Sequence, residues 1–144
     1  MGNLEKVLQD LVNRDDEFKI DLAVDCFAEL YPTMKVLDPD HAGMYIVYTI
    51  LGTTVAADGK LTQAEYAFIK ALLSGVGLEH SEEEILDMVQ TCAGNRDAYQ
   101  MIKDVRDRLT PEGVNTLVNL VAAICSIDDR ISADEVTYIK ALLS

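Results

Sequence analysis

Shifted along itself by 70 residues, the sequence meets its own likeness: Ile50–Ser74 lies on Leu120–Ser144. The upper copy reads ILGTTVAADGKLTQAEYAFIKALLS and the lower LVAAICSIDDRISADEVTYIKALLS. Ile69–Ser74 and Ile139–Ser144 are identical, Asp58 matches Asp128, and Glu65 matches Glu135. Lys60/Arg130, Leu61/Ile131 and Thr62/Ser132 are chemical equivalents, and Gly43 matches Gly113 at the start of the preceding helix. A repeat of this period is one supersecondary unit written twice. Two copies of an amphipathic hairpin can bury their apolar faces against each other about a pseudo-two-fold, which leads to a helical bundle.

Helical spacing runs through the rest of the chain. Leu4, Val7, Leu8, Leu11 and Val12 fall on a single face. Asp15 or Asp16 can cap a second helix carrying Phe18, Leu22, Phe27 and Leu30, expected to end before Pro32. Asp38-Pro39 begins a third, with Pro in the first turn, that runs through Met44, Val47, Tyr48, Leu51 and Val55. Thr62 opens a fourth, closed by Gly75, and Ser81 with Glu84 forms a capping box for a fifth. Asn95, Thr110-Pro111 and Ser132 begin the sixth, seventh and eighth, and no stretch alternates long enough for a strand. The expected fold is all-α: a compact bundle of about seven to eight helices with a duplicated helix–loop–helix unit. Its 144 residues suit one domain, with the repeats at about 40–74 and 110–144 and an N-terminal helix pair over 1–37.

The charge limits what the chain can bind. A formal net charge of −13 repels phosphate backbones and anionic lipid headgroups, so nucleic acid is not an expected partner. Basic proteins, cationic segments and metal ions fit better. Cys26, Cys92 and Cys125 are odd in number, far apart and set in apolar helical runs, so they read as small buried hydrophobes in a reducing compartment, and a cytoplasmic location is expected. Leu117–Ile127 is too short to insert across a bilayer. The two histidines, His41 and His80, have no nucleophile beside them, and no enzymatic activity is expected.

Each repeat carries Asp-x-Lys/Arg-Leu/Ile-Thr/Ser-x-x-Glu, which admits two readings. Thr62 with Glu65, and Ser132 with Glu135, make capping boxes: the hydroxyl takes a free N–H of the first turn and the carboxylate reaches back to the cap. Asp58-Gly59-x-Leu61-Thr62-x-x-Glu65 also copies positions five to twelve of an EF-hand loop. In that register positions one and three are Thr54 and Ala56, and in the second copy Ile124 and Ser126, so the leading aspartates are missing. What remains is a weak hard-cation site for calcium or magnesium, completed by water. Its candidate ligands are Asp58 and Glu65 in the first loop and the richer set Asp128, Asp129, Asp134 and Glu135 in the second.

At these loops the chain resembles the tellurite-resistance TerB family and the related N-terminal domain of DjlA-type co-chaperones. Ala56-Ala57-Asp58-Gly59-Lys60-Leu61-Thr62-x-x-Glu65, leading into Ile69-x-x-Leu72, carries the likeness, as does Ile127-Asp128-Asp129-Arg130-Ile131-Ser132-x-x-Glu135. It covers roughly residues 40–144 and departs at Asp129, where the pattern usually has Gly. The resemblance implies a compact helical bundle with acidic patches, at Asp58, Glu65, Asp128 and Glu135 here. It also implies a role in tellurite or other stress responses through cation binding or contacts to membrane-associated protein partners.

Overall fold

The computed structural model describes residues 2–41, 43–56, 62–75, 81–92, 96–128 and 133–143. These form an all-α bundle of α1 (Gly2–Val12), α2 (Asp16–Leu37), α3 (Met44–Ala56), α4 (Gln63–Gly75), α5 (Glu82–Cys92), α6 (Arg96–Asp107), α7 (Pro111–Cys125) and α8 (Ala133–Leu143). Short 3-10 turns occupy Pro39–His41 and Ser126–Asp128, and no strand occurs among the described residues. The sequence repeat falls on α3–α4 and α7–α8.

Local chemistry fixes several helix starts. Asp15 accepts the Phe18 N–H at 2.8 Å and opens α2. Thr110 accepts the Gly113 N–H at 3.1 Å, with Pro111 at the first position of α7. Ser81 and Glu84 bond reciprocally at the start of α5, at 3.0 and 3.2 Å.

Two expected boundaries are wrong. α2 does not end before Pro32; it runs through it to Leu37. The ring removes one backbone donor, a cost of about 3 kcal/mol. Leu30 and Met34, both buried, hold the helix against the core on either side of it. Each such side chain contributes roughly 1.5–3 kcal/mol on burial. The third helix starts at Met44, not at Pro39, because the chain first reverses at Gly43. There φ is +82°, and a Cβ would lie 3.0 Å from the Lys35 N and the Met34 carbonyl carbon, so only glycine fits. Its repeat partner Gly113 has another task, giving its N–H to Thr110 in the first turn of α7.

α7 is the centre of the core. Leu117, Leu120, Val121, Ala123 and Ile124 are all fully buried, and from Leu117 to Cys125 only Asn119 is exposed, the pattern of a central helix. α2 packs along α7 and against α4, while α3 packs on α5, α6 and α7. A Cβ on Gly75 would lie 2.9 Å from Val24 Cγ2, so the end of α4 closes tightly on α2. The expected apolar faces are correct in part: Leu8, Leu11, Phe27 and Leu30 are inside, but Val7 and Phe18 are exposed. Arg14 lies over the Phe18 ring, 4.6 Å from its centroid. Lys19, next to Phe18, takes the inward position.

Two cations from outside the repeat close helix C-termini within it, where backbone carbonyls lack helical partners. Lys19 Nζ donates to the Ser126 carbonyl at 2.8 Å, and Arg106 Nη1 donates to the Ala141 carbonyl at 2.9 Å. Among the described residues no helix is long and apolar enough to cross a membrane.

Candidate functional site

The acidic loops are built as helix starts where they can be followed. The Thr62 N–H donates to Glu65 Oε1 and the Glu65 N–H to Thr62 Oγ1, both at 3.1 Å, a complete capping box. Glu65 is nevertheless a core residue, with 1% of its surface exposed. One carboxylate oxygen accepts the Thr62 N–H, so the cap fixes how this carboxylate is oriented. In the second copy Glu135 is likewise buried in the first turn of α8, whereas its neighbour Asp134 is exposed. The two face different surroundings although adjacent in sequence. Asp58, Asp129 and the cap Ser132 lie outside the described residues, as does the side chain of Asp128, whose backbone ends the Ser126–Asp128 turn. Among the described residues no three His, Cys, Asp or Glu side chains are grouped to hold a metal ion.

A buried hydroxyl cluster links the halves of the repeat. Tyr138 Oη and Thr53 Oγ1 share a hydrogen bond at 2.8 Å, and Thr53 Oγ1 also donates to the Thr49 carbonyl at 2.7 Å. Burial pushes the Tyr138 hydroxyl up to about 12, against the lowering effect of its bond to Thr53. Tyr99 meets the Tyr138 ring edge-on with centroids 5.9 Å apart. Cys26 is buried, and its thiol is pushed up to about 11 by burial, then by the charges of Glu29 and Asp25. A thiol held protonated in this way is a packing group, as the sequence indicated. Cys125 is buried also; the side chain of Cys92 lies outside the described residues.

The exposed side of α2 carries a feature that the apolar pattern hid. Glu17, Asp21, Asp25 and Glu29 recur every four residues and all are exposed. None makes a salt bridge or side-chain hydrogen bond among the described residues. At 1.5 Å rise per residue the row is about 18 Å long. Continued along the same spacing it reaches Thr33 and Leu37, where two concavities open. One, of about 180 Å³, lies between α2 and the start of α7 and is lined by Glu29, Leu30, Thr33, Leu109 and Glu112. The other, of about 220 Å³, lies between the end of α2, α3 and α6, with Leu37, Ile46, Met101 and Val105 as its apolar lining and Asp38 and Asp104 beside them. Arg108 borders both.

The chain matches no family model, no curated protein and no solved structure. The spacing 17, 21, 25, 29 was open to reading in the sequence, but its continuation into the concavities depends on α2 running past Pro32.

Proposed function

We propose that this chain is a non-enzymatic acidic binding module of TerB-like type, serving a tellurite or other stress response by holding a basic segment of a protein partner, free or beside a membrane. The acidic row on α2 carries the docking part of this reading, and the TerB-like part rests on the resemblance over roughly residues 40–144. Like charges four residues apart each destabilise a helix by about 0.2–0.5 kcal/mol, and the row contains several such neighbours with no counter-charge bonded to them among the described residues. A cationic partner turns that repulsion into attraction, and the concavities at the end of the row accept its apolar side chains. The net charge of −13 adds long-range steering.

A helical peptide of alternating lysine and leucine faces is a suitable probe. Its affinity should fall steeply with added salt, as screening weakens exposed charge pairs. It should fall about tenfold or more, roughly 1.4 kcal/mol, for Asp21→Lys combined with Asp25→Lys. Equal binding by that variant, with its thermal melt unchanged, rejects the row as the docking surface. Reproducible turnover in a hydrolase and phosphatase screen, lost on mutating a clustered acid, rejects the non-enzymatic reading.

A further inference from the structure

Among the described residues that line the two concavities at the end of α2, Arg108 is the one cation, and it borders both. α6 brings Met101, Asp104 and Val105 to one face. Arg108 follows one residue past the helix end, its N–H bonded to the Val105 carbonyl at 3.0 Å. Four carboxylates line the same two hollows: Asp38 and Asp104 in the larger, Glu29 and Glu112 in the smaller. The Arg108 side chain is exposed, and its guanidinium makes no hydrogen bond or salt bridge to any of them. Asp104 instead accepts a hydrogen bond from Gln100 Nε2 at 3.0 Å.

A guanidinium is always charged and presents a flat fork of donors that fits a carboxylate. It would repel a partner that carried only positive charge. The larger concavity, with Leu37, Ile46, Met101 and Val105 inside it, takes an apolar side chain. Its volume of about 220 Å³ is below the ~300–1,000 Å³ of an ordinary small-molecule pocket, which suits one side chain of a longer segment. The acidic row leads to it. Each step of four residues turns about 40° around α2, so the row winds from exposed Glu17, Asp21, Asp25 and Glu29 to Thr33 in the smaller hollow and Leu37 in the larger. Along this path the surface offers four carboxylates, then an apolar hollow, then a guanidinium. Its complement is a run of cations, an apolar side chain and an anion. One residue type brings the last two together at a fixed separation: an apolar residue that ends its chain, which carries the α-carboxylate itself.

We propose that the segment held by the acidic row is the C-terminal tail of a partner protein, with basic residues along α2, the last apolar side chain in the concavity between α2, α3 and α6, and the α-carboxylate on Arg108. This rests on the docking of a basic segment proposed above and adds to it the direction and the end of that segment: its C-terminus lies at the C-terminal end of α2. The tail's own cations offset the carboxylates around Arg108, so the α-carboxylate reaches the guanidinium without net repulsion.

The probe is an acetylated peptide with lysine at every fourth position and leucine as its last residue, made once with a free C-terminal carboxylate and once as the amide. Wild type should bind the free acid about fivefold more tightly than the amide, the upper end for an exposed ion pair. The amide also changes the peptide's own helicity, and Arg108→Gln cancels that effect. This variant, melting as wild type does, should bind the two peptides alike. In wild type the Met101 methyl resonance should shift with the leucine-ended acid and stay in place when glycine ends the peptide. Equal binding of acid and amide by wild type overturns the proposal, as does a preference that Arg108→Gln retains, or a Met101 signal that ignores the terminal leucine. If both peptides then still bind in a salt-sensitive way that Asp21→Lys with Asp25→Lys weakens, the acidic row stands and only the tail's end is wrong. If neither peptide binds wild type at low salt, the docking reading falls and this inference with it.

Discussion

α3–α4 and α7–α8 share a sequence repeat and differ in where they keep their polar groups. In α3 the polar groups lie inside the helix. Thr53 and Thr54 bond back to carbonyls of the preceding turn, and Thr53 reaches Tyr138 of α8. Shifted by 70 residues, these threonines become Ala123 and Ile124, and Tyr138 corresponds to Phe68. Each of these three is buried and none has a side-chain hydroxyl. α7 has one such hydroxyl, Thr116, bonded back to the Glu112 carbonyl at 3.0 Å, and its other buried polar contacts lie at its end, on Ser126 and Lys19. Where one half has a hydroxyl pair, the other has apolar side chains and imports a charge from α2. Helices of similar sequence thus tolerate different interiors, provided each buried polar group finds a partner within its own half or from a neighbour.

The largest way to break this contrast is to remove the imported charge. Lys19→Ala should cost about 3 kcal/mol in urea unfolding, the upper end of the range for a hydrogen bond to a charged group. A loss below that of an ordinary surface substitution would mean that α7 closes without it.

Next is an alkaline limb due to Tyr138, whose hydroxyl is raised from 10.0 to about 12 in the fold. As pH rises the unfolded chain gives up this proton first. The stability held by the buried neutral phenol is complete below about pH 10 and is lost as pH climbs to about 12, up to roughly 3 kcal/mol in all. Cys26, raised from 9.0 to about 11, adds loss in the same direction and starts earlier. Urea titrations across this range on Tyr138→Phe, in a Cys26→Ala background, should show a flattened limb, and an unchanged slope would mean the phenol is more accessible than its burial indicates.

Smaller effects sharpen the comparison. Tyr138→Phe and Thr53→Ala should each cost about 1 kcal/mol. The double variant should cost less than their sum, because it makes the α3–α8 pair like Ala123 and Phe68. Additive losses in the double-mutant cycle would show that the two hydroxyls are not coupled. Thr62→Ala should cost about 1 kcal/mol as a lost cap. That loss should be the same in calcium, magnesium and chelator, and Asp128→Asn should leave the wild-type ion response as flat as before. An ion-dependent shift abolished by Asp128→Asn would instead restore a metal to the second loop.

The residues themselves show why part of this was legible in advance. The all-α class and the starts at Asp15, Thr62, Ser81 and Thr110 rest on bonds spanning three residues, which a sequence displays directly. The reach of α2 through Pro32, the reversal at Gly43, the exposure of Phe18 and the burial of Lys19 and Glu65 were not displayed. Periodicity identifies which residues share a helix face but not how far a neighbouring helix will cover it. Proline's local cost was visible, whereas the burial of Leu30 and Met34 that offsets it depends on packing. Lys19 is the clearest case. By its chemistry alone a lysine belongs in water, and only the meeting of α2 with the end of α7, 107 residues along the chain, supplies the carbonyl that makes the interior a place for its charge.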